Sequence, residues 1–247
     1  MKTGLVSVTF RELTPFEIID LTAKAGLDCI EWGGDIHCPP GNVSGAEKIY
    51  EIMAQKQLEC LSYGSYYRAV DQGDLPGILA VAMALRAPNI RIWAGDKGSA
   101  KTDAATRNKI TRNIQQFADM AGEKGISISF EYHANTLTDT VESTLLLLEE
   151  TARPNIFTYW QPYVGSDPSS NLEEIRLLNN TNKLKYLHVQ HESGGDRLPL
   201  AEGKQVWKSY LAAAEAEAAL IEFVRGGTPE QFMQDAKVLL DIKASLN

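Results

Sequence analysis

Ser127-Ile128-Ser129-Phe130-Glu131-Tyr132-His133 reads as a strand-length apolar run that ends on a carboxylate and an imidazole. Three later segments repeat the arrangement: Trp160-Gln161-Pro162, Leu187-His188-Val189 and Ile221-Glu222-Phe223. Each puts one side chain able to ligate a metal at or near a strand end, and they follow one another at about thirty residues. A (βα)8 barrel gathers several strand ends at one mouth and needs one such residue per repeating unit. The period therefore predicts an α/β fold, a (βα)8 TIM barrel, with a metal enzyme's site at its mouth.

Outward from these segments, strand-like runs alternate with helical ones. The strands read Gly4–Phe10, Cys29–Trp32, Glu59–Tyr63, Ile90–Ala94, Ser127–Tyr132, Ile156–Trp160, Lys185–Val189 and Ala219–Val224. Most are apolar enough to be buried on both faces, as parallel strands are. Thr14-Pro15-Phe16-Glu17, Ser44-Gly45-Ala46-Glu47, Asp139-Thr140-Val141-Glu142 and Thr228-Pro229-Glu230-Gln231 carry capping-box signals at helix starts. Gly26 and Gly125 stand where helices should stop. The intervening helices are expected over Leu75–Arg86, Ala104–Glu123, Leu172–Leu178 and Gln205–Glu217. Strict alternation implies a parallel sheet with right-handed crossovers. No linker or low-complexity stretch divides the chain, so residues 1–247 are expected to form one domain. Two long segments, Gly33–Val43 and Gln190–Gly203, fall on the side where barrel active sites are built and are candidate lids.

Composition narrows the function classes. The 247 residues include 24 basic and 32 acidic side chains, a net charge of −8. Nucleic-acid binders carry a basic face to neutralise phosphates, so this balance argues against DNA or RNA and for small molecules. No apolar run is long enough to span a bilayer, and no membrane partner is expected. Three cysteines, Cys29, Cys38 and Cys60, without paired-thiolate spacing suit a reducing compartment, which makes the cytoplasm the expected location.

A carboxylate ending an apolar strand costs free energy unless it is paired or metal-bound. Glu131 and Glu222 facing each other across a mouth can bridge a divalent cation while their free oxygens reach a substrate. The plain structural alternative is that each pairs with a lysine or arginine. His188 falls in the same layer, and a neutral imidazole suits Mn, Co, Zn or Fe better than Ca. Gln161 can offer an amide oxygen to a cation or hydrogen-bond a substrate hydroxyl. His191, three residues beyond His188, points to substrate or solvent. Trp32, Trp93 and Trp160 end strands and offer faces for sugar C–H surfaces, while Asp35, His37, His133 and Arg225 offer polar contacts near the mouth. Neither Gly33-Gly34 nor Gly226-Gly227 belongs to a nucleotide-binding pattern.

Cys29-Ile30-Glu31-Trp32-Gly33-Gly34-Asp35-Ile36-His37, Arg91-Ile92-Trp93-Ala94-Gly95, Phe130-Glu131-Tyr132-His133-Ala134-Asn135-Thr136-Leu137 and Tyr159-Trp160-Gln161-Pro162 resemble the xylose-isomerase-like TIM-barrel superfamily, in its sugar phosphate isomerase/epimerase branch. The resemblance spans the chain. In the ketose 3-epimerase members a Glu, an Asp, a His and a Glu from the fifth to eighth strands hold the metal. Carried over by position, these are Glu131, Gln161, His188 and Glu222. The second departs in type, and Val164 stands where a His often follows that Asp by three.

The resemblance implies a divalent metal (Mn, Mg, Co or Zn) and isomerase or epimerase chemistry on a sugar or related polyol. Glu131 and Glu222 would be the acid/base pair around an enediolate, and Trp32, His37, Trp93, His133 and Arg225 the substrate contacts. The alternative is a metal-dependent lyase or dehydratase acting on a keto-sugar or inosose. A non-catalytic sugar-binding barrel and a metal-cluster endonuclease come after these. No glycine-rich phosphate cradle follows the last two strands. Barrels of this kind often form homodimers, which sets that expectation.

Overall fold

The computed structural model describes residues 1–246. Eight parallel strands close into a barrel: β1 (Lys2–Val6), β2 (Cys29–Gly33), β3 (Glu59–Gly64), β4 (Asn89–Ile92), β5 (Ser127–Phe130), β6 (Ile156–Trp160), β7 (Leu184–Val189) and β10 (Ala218–Ile221). β1 pairs with both β2 and β10, through Val6 opposite Glu31 and Leu5 opposite Ile221, which completes the circle. Eight helices fill the crossovers: α1 (Pro15–Lys24), α2 (Val43–Gln55), α3 (Leu75–Ala84), α4 (Ala104–Gly122), α5 (Val141–Thr151), α6 (Pro168–Asn179), α7 (Lys204–Ala213) and α8 (Pro229–Leu246). The expected (βα)8 TIM barrel is the fold observed. Among the described residues, no helix is long and apolar enough to cross a membrane.

The core has two parts. One lies between the sheet and its helices and includes Ile18, Phe117 and Leu239. The other fills the barrel itself with Val6, Val8, Cys29, Leu61, Tyr159, Tyr186, Ala218 and Leu220. A barrel interior of this width is a packed core, so polar groups inside it must find partners there.

Local chemistry explains the element ends and corrects several expected ones. Thr14 forms the capping box, its hydroxyl accepting from Glu17 N while Glu17 accepts from Thr14 N at 2.8 Å. α2 begins earlier than Ser44 predicts, because Asn42 is its cap and accepts from Gly45 N at 3.2 Å. Thr140, rather than Asp139, caps α5, and Asp139 instead accepts from Ser99 N. β1 stops at Val6, and Ser7–Phe10 turns as a 3-10 segment, shorter than the strand expected to reach Phe10. α6 starts at Pro168, where Asp167 caps it, and α7 ends at Ala213. Segment 190–203 contains an antiparallel hairpin, β8 (His191–Ser193) and β9 (Asp196–Leu198), standing over the mouth.

Candidate active site

Strand ends place the predicted group. Glu131 follows β5 and its N–H still bonds Ile92 O of β4 at 3.0 Å, while Glu222 follows β10 and its N–H bonds Val189 O of β7 at 3.0 Å. The sheet ladder thus holds both backbones just before the chain leaves the barrel. Phe223, immediately after Glu222, adopts φ +62°, and Thr9 Oγ1 accepts its N–H at 2.9 Å. Such a left-handed conformation costs free energy in a residue with a Cβ and clusters at functional sites. His188 lies within β7, and Gln161 follows β6. Glu131, His188 and Glu222 each bring a ligand atom within 4.8 Å of the others'. All are buried, with 3%, 0% and 5% of their surface exposed, and Gln161 has 7%.

Around these lies a second layer of charge. Arg91, in the apolar run of β4, is 1% exposed and donates from Nε to Glu31 Oε1 at 2.6 Å. Its Nη1 and the indole Nε1 of Trp93 both donate to Glu131 Oε2. The structural alternative weighed for Glu131, pairing with an arginine, is therefore realised. Gly64 leaves room for this guanidinium, because a Cβ there would stand 2.5 Å from Arg91 Nη2. A bulge between Ile30 and Glu31 accompanies the inward turn of Glu31. Tyr159 OH donates to Glu31 Oε2 at 2.5 Å and contacts Ser62 Oγ at 2.8 Å.

The pKa shifts follow from this network. Burial pushes the Glu31 carboxyl up, but Arg91, His188 and Tyr159 outweigh it and hold it at about 2. Burial alone would strip the proton from His188, yet Glu222 and Glu31 raise it to about 9. Glu222 lies below its ordinary value because His188 and Arg91 outweigh its burial. Burial disfavours the Arg91 charge, and Glu31 more than restores it.

The donor set fits a divalent cation. His188 Nδ1 faces Glu222 Oε2 at 3.1 Å and Nε2 faces Glu31 Oε1 at 3.5 Å, and neither nitrogen completes a hydrogen bond. Gln161 donates Nε2–H to Tyr132 O at 2.9 Å, which leaves its buried Oε1 without a partner. Orphaned buried acceptors are costly and call for a donor or a cation. Charge points the same way. Glu31, Glu131 and Glu222 set three buried negative charges against the single Arg91, and a divalent ion would take the place of the His188 proton and neutralise the remainder beside the neutral Gln161 amide.

Above the cluster opens a cavity of about 420 Å³. Glu131, Gln161 and Glu222 line its floor, and Trp93, His133 and Tyr66 line one wall. Trp93 stacks on His133 with centroids 4.4 Å apart and the planes 22° from parallel, and Arg68 covers the indole at 4.1 Å. Two arginines reach the cavity, each already paired: Arg11 with Asp35, and Arg197 of the hairpin with Glu192 at 2.5 Å.

Of the residues expected to contact substrate, some line the cavity and others lie outside its lining. Trp93 and His133 line the cavity. Trp32 is fully buried with its indole N–H on Met53 Sδ, a core position, and Trp160 likewise donates to Glu174. His37 is 6% exposed and pairs with Ser7 Oγ at 3.0 Å beside Trp32, outside the cavity lining. Arg225 stands exposed in the 3-10 turn Arg225–Gly227, also outside it. Glu31, Arg91 and Arg197 were not anticipated. A signal existed for the first two, a charge inside an apolar strand run, which is costly unless answered by another charge.

Comparisons with known proteins agree with this architecture. The family model "Xylose isomerase-like TIM barrel" matches residues 19–239. A 3-dehydroshikimate dehydratase of Bacillus anthracis is 27% identical over 92% of this chain and 83% of its own. The crystal structure of the probable 3-DHS dehydratase AsbF from the same organism superposes with a TM-score of 0.83 at 21% identity, covering 97% of this chain and 99% of that one. D-Psicose 3-epimerase of Clostridium cellulolyticum H10 gives 0.72 at 14% identity over the whole of both chains.

Proposed function

Because the chain belongs to the xylose isomerase-like TIM barrel family, we propose that it is a divalent-metal-dependent enzyme that enolises a polyhydroxylated ketone and expels a β-hydroxyl as water. The observation that carries this reading is the buried Glu131–His188–Glu222 cluster on the floor of the cavity, with Gln161 Oε1 beside it lacking a partner. Glu131, Gln161, His188 and Glu222 would hold the cation, which when bound would polarise the substrate carbonyl and acidify the neighbouring C–H.

The protein's own groups then divide the proton work. One of Glu131 and Glu222 takes the proton from the carbon beside the carbonyl. The C–H electron pair forms the new C=C bond as the C–O bond at the β-carbon breaks, and the departing oxygen leaves as water with the proton that carboxyl has just gained. Arg91 and Trp93 fix one oxygen of Glu131, which orients the other. His133 engages Ala134 O through Nδ1 at 2.7 Å, leaving Nε2 free for a substrate hydroxyl.

The 27% identity to a dehydratase favours loss of water over reprotonation. A second reading, isomerisation or epimerisation, is favoured by the carboxylates themselves, since two of them reach the cavity from different strands. Incubating the manganese-loaded protein with inososes, ketoses and 3-dehydroshikimate in D2O separates the outcomes. A product lighter by one water supports the dehydratase; deuterium gain without mass loss supports the isomerase or epimerase. No exchange and no product, with E131Q and E222Q variants indistinguishable from the parent, sinks both.

A further inference from the structure

A second cavity of about 530 Å³ lies beside the first, between the 162–168 loop after β6 and the β8–β9 hairpin, over the start of α6 and the face of α7. The two share Pro162, Tyr163, Val164, Gln190 and Glu192 along their common edge. Together they approach the upper end of the range small-molecule sites span, about 300–1,000 Å³, well beyond what one six-carbon ring needs. The geometry points to a second subsite, one that receives a further hydroxylated ring attached to the ketone; this rests on the enolising function proposed above and names its substrate class as a glycosylated ketose or keto-glycoside.

The lining chooses the ligand. No lysine or arginine is among its lining residues, Glu202 is, and Glu192 already holds Arg197, so a phosphate or carboxylate appendage would find no free lysine or arginine there. Asn171 and Tyr210 give a polar floor, joined by the Asn171 Nδ2 bond to Tyr210 OH at 2.8 Å, with Trp207 beside them. At the seam, Gln190 Oε1 is shielded from solvent and has no partner, an acceptor suited to an incoming O–H. Gln190 itself is held in place through its carbonyl, which accepts Trp207 Nε1–H at 2.9 Å. Neutral hydroxyls on a ring satisfy carboxylates, amides and this orphaned oxygen at once.

Titration calorimetry on the manganese-loaded protein, with fructose against isomaltulose, turanose, leucrose and maltulose, tests the assignment. These four disaccharides differ only in where glucose joins the fructose. At least one should bind ten-fold or more tightly than fructose. Val206→Trp and Glu202→Trp, which fill the second cavity from its floor and its lip, should each erase that gain and leave fructose binding unchanged. If none of the four outbinds fructose, or if the gain survives both substitutions, the subsite assignment is overturned. Calorimetry reads binding without turnover, so a preference for disaccharides with no C–H exchange would retire the enolising function and keep the subsite. Exchange on fructose with no such preference would do the reverse.

Discussion

Arg91 Nε donates to Glu31 Oε1 at 2.6 Å with 1% and 0% of the two side chains exposed, so one fully buried ion pair underlies the candidate metal group. Removing one partner of such a pair leaves an uncompensated buried charge, at a cost of about 3–5 kcal/mol. Arg91→Met should therefore lower the melting temperature by roughly 6–20 °C, at 2–4 °C per kcal/mol for a chain of this size. The double variant Arg91→Met/Glu31→Gln should recover only part of that loss, because Glu31 no longer carries a charge but Glu131 still lacks its arginine. Thermal unfolding of the three proteins checks this; equal melting temperatures for the single and double variants would contradict it.

Gln161 is the departure from the ligand pattern the resemblance implies, and its consequence is measurable. A neutral amide in place of a carboxylate withholds one negative charge from the bound cation. Gln161→Asp should tighten Mn2+ binding at least ten-fold in titration calorimetry, and Gln161→Ala should weaken it by a similar factor. The aspartate adds a charge but cannot donate to Tyr132 O as the amide does. Metal-free Gln161→Asp should therefore be less stable than the parent by about 1–3 kcal/mol, with the difference closing once metal is added. If Gln161→Ala binds Mn2+ as the parent does, Gln161 is not a ligand.

At the opposite end of the barrel, Asp28 joins the first strand to the last helix. Its Oδ2 accepts from Thr3 N at 2.8 Å, Thr3 Oγ1 at 3.0 Å and Lys243 Nζ at 2.9 Å. Partial burial pushes the Asp28 carboxyl up, but the bonds from Thr3 and Lys243 more than offset it and leave it below its ordinary 3.8. A carboxyl depressed in the folded state adds stability that is complete above its unfolded value and fades as pH falls through the folded one. The side chain is 40% exposed, so solvent screens the Lys243 contribution and the effect is of order 1 kcal/mol. Urea unfolding should show Asp28→Asn weaker than the parent at pH 6, with the gap narrowing as pH falls below 3.8. A gap that does not shrink toward low pH would remove the ionic explanation.

The barrel was legible because its signals are local and repeated: apolar runs of strand length, capping residues such as Thr14, and one polar strand end about every thirty residues. Glu131, His188 and Glu222 shared that rhythm, and the fold brings them within 4.8 Å. Trp32 and His37 obeyed it too, yet their side chains pack into the protein instead of the cavity. Whether a strand-end side chain faces the barrel axis or the helices depends on register and bulges, such as the one before Glu31, which a periodic pattern does not encode. Arg91 was hidden for a different reason. Its partners Glu31 and Glu131 come from strands 60 and 40 residues away, and nothing local announces such a pairing. Arg225 stands outside the cavity lining, beyond Phe223, which lines it and turns the chain at φ +62°.

Trp93 gives the most direct test of how Glu131 is held. Its indole N–H and Arg91 Nη1 converge on Glu131 Oε2, while its ring lies between Arg68 at 4.1 Å and His133 at 4.4 Å. Trp93→Phe keeps an aromatic face in that stack and removes only the donor, whereas Trp93→Ala removes both. Losing a partner that orients a metal ligand typically costs about 10- to 100-fold in affinity or activity. Trp93→Phe should therefore reduce Mn2+ affinity, and the rate of ketone C–H exchange, by a factor in that range. Its melting temperature should fall by roughly 3–12 °C, since one hydrogen bond to a charged group contributes about 1.5–3 kcal/mol. Trp93→Ala should show the same metal deficit together with weaker binding of the ketone, because the wall that packs against the substrate is gone. Should Trp93→Phe bind metal and exchange protons as the parent does, Arg91 alone orients Glu131 and the indole serves only as a wall of the cavity.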